Sequence, residues 1–331
     1  MAFEFGHPKG YVMNAILPIL ILRLMVASGC GNDNPSSSAS SDSETPSPLP
    51  PEPLSETLPL TVDELERRVI LYIPPGTPAS APGVIVMHGY SSQAAAIASY
   101  SGFKELTDRE KFIVAFPQGT SDSEGYPFFN VGYAFHDDVV VDDLGFVRHL
   151  VETLQSDYAA SQEHVFATGM SNGADMSFYL ACEASELFAA FAPVAGTMMK
   201  HIYDGCSPEF PRPIMAVNGT ADDVTYYNGD PENRDGWGVY LDIPSIVEFW
   251  RGLSDLDQLE EEILEDVDSN DGSQVTRQRH FSSDHTREFL LYRVENGGHD
   301  WPGVWGNMDL MTTEAIWRFF SKVIDASSDS R

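Results

Sequence analysis

The chain has 331 residues, room for one large domain or two ordinary ones. It carries 50 acidic against 19 basic residues, a formal charge of −31. That charge repels a phosphate backbone or an anionic membrane surface, so nucleic acid is not an expected partner.

The first expected element is an export signal over residues 1–30. The run "AILPILILRLMVASGC" is short for a membrane span and is interrupted by Arg23, which suits a signal peptide better than an anchor helix. Val26-Ala27-Ser28-Gly29-Cys30 is similar to a bacterial lipobox, which makes Cys30 a candidate lipidation site and a lipid chain there the only expected membrane attachment. Lys9 gives a weak basic start, and Met1 and Met13 both stand as initiators. Residues 31–58, "GNDNPSSSASSDSETPSPLPPEPLSETL", hold too little apolar surface to offset their ordering entropy and read as a disordered linker. Residues 59–331 then suit one α/β domain, without internal repeats.

Within that domain the patterning predicts strands at 67–73, 83–89, 112–119, 164–171, 188–197, 213–220 and 288–298. Helices are expected at 95–109, 141–158, 172–184, 243–253 and 309–324. Strand and helix alternate, which argues a mostly parallel sheet with helices on both faces. Asp142 and Asp143 read as caps of the helix that follows them. The acidic run Asp255 to Asp271 reads as a solvated surface loop or helix rather than a cation site. His136-Asp137-Asp138 has no second cluster to complete a metal site. If the chain is exported, Cys182 and Cys206 are expected to form one disulfide; two buried thiols are the alternative.

The pentapeptide Gly169-Met170-Ser171-Asn172-Gly173 fits G-x-S-x-G between a buried strand and a helix. Ser171 there is either an N-cap or a nucleophile on a sharp turn, its hydroxyl held above the sheet at a helix N-terminus. A serine hydroxyl needs a base and the base needs an orienting acid. Asp222 and Asp223 follow one strand and His299 follows a later one, in the order Ser, acid, His. The N–H groups of Asn172 and of Tyr90, after the strand ending His88-Gly89, are the candidate oxyanion donors. His88 itself reads as structural.

Together "MHGYSSQAAAIASYSGFKELTDREKFIVAFPQGT", "VDDLGFVRHLVETL", "VFATGMSNGADMSFYLACEASELFAAFAPVAGT", "NGTADDVTYYNG", "IPSIVEFW" and "GGHDWPG" resemble the secreted polyhydroxybutyrate depolymerases and feruloyl esterases, the LpqC-like α/β-hydrolases. The resemblance runs from about Arg67 to about Phe320. It implies an α/β-hydrolase fold, an ester substrate and no cofactor. It lays the nucleophile on Ser171, the base on His299 and the acid on Asp222, with Asp223 standing where the family has Pro. Asn218 stands where the family often has His, beside the site. Tyr90 and Trp301 are expected to border an acyl pocket, Tyr227 to match the Tyr of the acid motif and bind substrate, and loop 226–240 to form a rim. The expected activity is that of an exported carboxylesterase acting on feruloyl or acetyl esters of polysaccharide or on short hydroxyalkanoate oligomers. A polyester depolymerase, a peptidase on the same fold and an inactive tethered binding protein are the alternatives.

Overall fold

The computed structural model describes residues 53–136 and 138–329; the expected signal peptide, Cys30, Asp137 and most of the expected linker lie outside them. The described part opens with a hairpin of β1 (Leu54–Val62) and β2 (Leu65–Ile73), turned through Asp63 and Glu64 at positive φ. Then come β3 (Ala81–Met87), α1 (Ala94–Tyr100), α2 (Phe103–Glu110) and β4 (Ile113–Pro117). A small separate ribbon pairs β5 (Thr120–Ser121) with β6 (Pro127–Phe128). Next are α3 (Asp143–Asp157), β7 (Ala160–Met170), α4 (Asn172–Glu183) and β8 (Ala190–Val194). They are followed by α5 (Lys200–Gly205), β9 (Ile214–Gly219) and α6 (Ile243–Ser254). The last elements are β10 (Gln258–Ile263), β11 (Gln274–Phe281), β12 (Glu288–Glu295) and α7 (Thr312–Asp329).

The main sheet runs β1-β2-β4-β3-β7-β8-β9-β12-β11-β10. Its centre, from β4 to β12, is parallel, and both flanks are antiparallel. Composition explains the division. Central strands such as Ala190–Val194 are buried at every residue, because helices cover both faces. One apolar layer collects α3, α4 and α6, and the other α1, α2 and α7. On the second face Phe320 stacks on Phe166 at 4.3 Å and Trp317 on Phe112 at 4.3 Å, which seats α7. At the far flank β10, "QLEEEI", is exposed at every residue. Three consecutive glutamates on that edge oppose pairing with another chain.

The mostly parallel sheet expected from the alternation is borne out. Several details differ. Residues 54–58, expected in the linker, form the first half of β1, because pairing with β2 satisfies their backbone groups. The helix expected at 95–109 is broken at Ser101-Gly102, where Gly102 takes φ +73° and starts a new helix. The acidic run contains β10, an edge strand rather than a loop or helix. Helix starts agree with local chemistry: Asp142 caps α3 by accepting from Gly145 N at 2.7 Å, and Asp242 caps α6 by accepting from Ser245 N at 2.8 Å. Asp143, expected as a second cap, is instead buried and paired with Arg67 at 2.5 Å. A disulfide joins Cys182, at the end of α4, to Cys206, just after α5.

Candidate active site

Ser171 stands between β7 and α4 with φ 56° and ψ −121°. Side chains rarely tolerate that backbone, and holding one there costs about 1–3 kcal/mol. Three neighbours impose it. The Ser171 N–H donates to the Val194 carbonyl at 2.9 Å, tying the turn to β8. A Cβ on Gly169 would lie 2.6 Å from the Gly173 carbonyl, and one on Gly173 would collide with the Met87 carbonyl. Glycine at both positions lets the strand, the helix and β3 close on one another. The result places the Ser171 hydroxyl at the N-terminus of α4, where unpaired N–H groups favour a developing negative charge.

Asp222 follows β9 and His299 follows β12, both beyond the C-terminal ends of parallel strands, on the edge that carries Ser171. The buried Asp222 carboxylate accepts at Oδ1 from Val224 N and Thr225 N, both at 2.8 Å. Its Oδ2 lies 2.8 Å from His299 Nδ1. A carboxylate only accepts, so the imidazole proton sits on Nδ1 and the Nε2 lone pair is left free. Val224 and Thr225, which hold Asp222, line one cleft with Ser171. Asp223 points to solvent and is not in this arrangement.

The loop after β3 flanks the serine: a Cβ on Gly89 would come 3.3 Å from Ser171 Cβ. His88 braces that loop. Its Nδ1 pairs with the Gly89 carbonyl at 2.8 Å and its Nε2 accepts from Gly119 N at 2.9 Å. Burial pulls its pKa down to about 4, so the ring is neutral and structural. Tyr90 donates to Asp122 Oδ2 at 2.6 Å, and its ring meets Trp237 edge-on at 5.2 Å. On the other side Asn172 locks α4 to the segment before α3. Its Oδ1 accepts from Phe129 N at 2.7 Å, and its Nδ2 donates to Phe129 O at 2.9 Å and to Tyr133 Oη at 3.1 Å.

The cleft beside Ser171 is lined by Tyr133, Asp175, Thr197, Met199, Trp237 and Tyr240 besides Val224 and Thr225. The free space is about 20 Å³, enough for one water-sized group. Loop 226–240 does reach this rim, through Trp237 and Tyr240. It is clamped there by Ala134 N donating to Trp237 O at 2.9 Å and Lys200 N donating to Val239 O at 2.8 Å.

Two expected substrate residues fall elsewhere. Trp301 is fully buried in the opposite apolar layer, packed on Tyr100 and Phe103, with its indole N–H on Thr313 Oγ1 at 3.1 Å. It therefore supports the turn that carries His299 and does not border a pocket. Tyr227 packs against the first layer, and the cleft takes Val224 and Thr225 from its loop instead. Asn218 is buried on β9, donating to Gly196 O at 2.9 Å. His136 pairs with Asp122 at 3.3 Å. Among the described residues no group of three His, Cys, Asp or Glu side chains is arranged to hold a metal ion.

Asp175 was not expected at the site. It sits in the first turn of α4, where an acid reads as an ordinary helix-start residue. The loop after β8 and the segment before α3 bury it: Thr197 N donates to Oδ1 at 2.7 Å and Tyr133 Oη to Oδ2 at 2.7 Å. Burial raises its pKa to about 7.

A parallel-centred sheet with helices on both faces and a serine on a glycine-flanked strand–helix turn is the architecture of the α/β hydrolases. An acetyl xylan esterase from Aspergillus awamori shares this fold, with a TM-score of 0.56 and 16% identity over 80% of this chain and 99% of that one. Residues 68–228, a little under half of the chain, match the family model described as Esterase PHB depolymerase. The resemblance read from the motifs is borne out. Feruloyl esterase B of Piromyces equi is 34% identical over 167 residues, 49% of this chain and 30% of that protein. Poly(3-hydroxyalkanoate) depolymerase C of Paucimonas lemoignei is 28% identical over 187 residues, 56% of this chain and 43% of that protein. The chain thus spans less than half the length of these two relatives.

Proposed function

We propose that this protein is a serine carboxylesterase in which Ser171 is the nucleophile, His299 the base and Asp222 the acid. The observation that carries the reading is the 2.8 Å contact between His299 Nδ1 and Asp222 Oδ2 on the sheet edge that bears the strained Ser171 turn. His299 Nε2 takes the hydroxyl proton as Ser171 Oγ attacks the ester carbonyl. The N–H groups of Asn172 and Tyr90 receive the oxyanion, and Asp222 stabilises the imidazolium. His299 then protonates the leaving alcohol, and water, activated the same way, releases the acid. No cofactor takes part in this sequence.

The roughly 20 Å³ of space beside Ser171 and its aromatic walls favour a small acyl group such as acetyl. Feruloyl esters and short hydroxyalkanoate oligomers are reached if the ester lies along the rim at Trp237. Polyester depolymerisation is the second reading, favoured by the similarity to a poly(3-hydroxyalkanoate) depolymerase. The reading includes export through residues 1–30 and lipidation at Cys30. The Cys182–Cys206 disulfide accords with an oxidising compartment.

The test is hydrolysis of p-nitrophenyl acetate, p-nitrophenyl butyrate, methyl ferulate and a hydroxybutyrate trimer by the wild type and Ser171→Ala. Loss of on the order of a thousandfold or more in the variant supports the reading. Equal inactivity of both proteins on every ester sinks it and favours a binding protein on a hydrolase fold.

A further inference from the structure

Asp175 is a buried carboxyl that the proposed mechanism does not use. It lines the cleft that holds Ser171, and it is almost wholly removed from water. Thr197 N and Tyr133 Oη fill two of its acceptor positions, and a carboxylate offers about four. Among the described residues no Lys, Arg or His forms a salt bridge with it, although His299 and Asp222 are near enough for their charges to act on it. The surrounding lining is Met199, Val224, Trp237 and Tyr240, which leaves this carboxyl the strongest acceptor facing the space.

Resting on the esterase reading above, we infer that Asp175 is a specificity-determining residue. The cleft selects short acyl groups that carry a hydrogen-bond donor next to the ester carbonyl, a hydroxyl or an ammonium, over the plain acyl group of the same length. The donor fills the remaining acceptor position of the carboxyl, and the apolar walls exclude water that would otherwise compete for it. A plain acyl group leaves the buried acceptor unpaired, and a site built for a donor discriminates strongly against an analogue that lacks one. An ammonium would add charge pairing in a region of low dielectric, in a cleft lined by the aromatic side chains Tyr133, Trp237 and Tyr240.

The experiment compares kcat/KM for the p-nitrophenyl esters of propionate, lactate and alanine in wild type, Asp175→Asn and Ser171→Ala. Asn is isosteric. Its one oxygen stays with Thr197 N, and its amide presents a donor where the carboxyl presented an acceptor. Dividing the wild-type preference for each ester by that of Asp175→Asn cancels the intrinsic reactivity of the esters. The expected result is a lactate or alanine preference over propionate that falls tenfold or more in Asp175→Asn, while the propionate ester is still turned over. The ester that shows the fall identifies the donor as hydroxyl or ammonium. Preferences equal in the two proteins overturn the inference even if Ser171→Ala is dead, and so does a wild type that favours neither donor ester relative to alkaline hydrolysis. If Asp175→Asn fails to fold by circular dichroism, Asp175→Glu, which keeps the acceptor but overfills the space, must lose the lactate and alanine esters before propionate; the reverse order overturns the inference. Propionate hydrolysis that survives Ser171→Ala overturns the esterase reading itself, which is a separate outcome.

Discussion

His299 Nδ1 and Asp222 Oδ2 meet at 2.8 Å, while the other oxygen of the same carboxylate is held by two backbone N–H groups. The acid is thereby fixed before the imidazole reaches it. Asp222→Asn would present an amide to Nδ1 and favour the wrong tautomer. Under the esterase reading, kcat falls by roughly 10³–10⁴ with little change in melting temperature. Asp223→Asn, at an exposed position next door, leaves kcat within about twofold. Steady-state kinetics of both variants on one chromogenic ester decide the assignment.

Arg67 and Asp143 form a buried pair far from any solvent that could screen it. Asp143 also accepts from Asn130 N at 2.6 Å, and the guanidinium lies 3.9 Å from the Phe146 ring centre. Removing one partner strands the other charge, so Arg67→Met is expected to cost about 3–5 kcal/mol. Arg67→Met with Asp143→Leu restores much of that loss. Urea unfolding of the single and double variants gives the comparison.

The Asp175 carboxyl, held near pH 7 by burial, predicts a pH-dependent stability. Its folded pKa lies above the unfolded value, so the folded state binds the proton more tightly. Its stability contribution is present below pH 4 and is lost as pH rises to about 7, by about 4 kcal/mol at most. Asp175→Asn lacks this loss, so its melting temperature should gain on the wild type between pH 4 and pH 7. His88, with its pKa pulled down to about 4, acts in the opposite direction but is common to both proteins and cancels. A difference that stays flat across that range contradicts the buried acid.

The Cys182–Cys206 bridge closes a loop of 24 residues between α4 and the segment after α5. Constraining the unfolded chain over that length is worth about 3 kcal/mol. Cys206→Ser should lower the melting temperature by several degrees, and reductant should lower that of the wild type alone. A wild type insensitive to reductant, with the bridge verified by mass spectrometry as broken, would show that the bond adds nothing.

Central strands were legible because full burial leaves an uninterrupted apolar run, as in Val84 to Met87 and Ala190 to Val194. The flanking strands β1, β10 and β11 were not: β1 and β10 are edge strands, which wear the composition of a loop, and β11 beside the edge is largely polar, QVTRQRHF. β10 is mostly glutamate, and β1 begins inside a Ser/Pro-rich stretch. The break between α1 and α2 was missed because Ser101-Gly102 fits a helical pattern until Gly102 adopts a left-handed backbone.

At the candidate site, sequence alone supplied the order Ser171, Asp222, His299 and the two glycines around the serine, because a sharp turn and a proton relay each demand particular residue types at particular places. It also carried the resemblance that the family match bears out. What sequence could not decide was which side chains share the cleft. Trp301 is two residues from His299 yet faces the opposite layer, and Tyr227 is passed over for Val224 and Thr225. Asp175, Tyr133, Thr197 and Trp237 are up to about a hundred residues apart and meet only when β7, β8 and loop 226–240 close around α4. Burial is a property of that closure. The same aspartate on an exposed helix start would titrate near its ordinary value, and packing alone turns it into a carboxyl near pH 7 beside a serine hydroxyl.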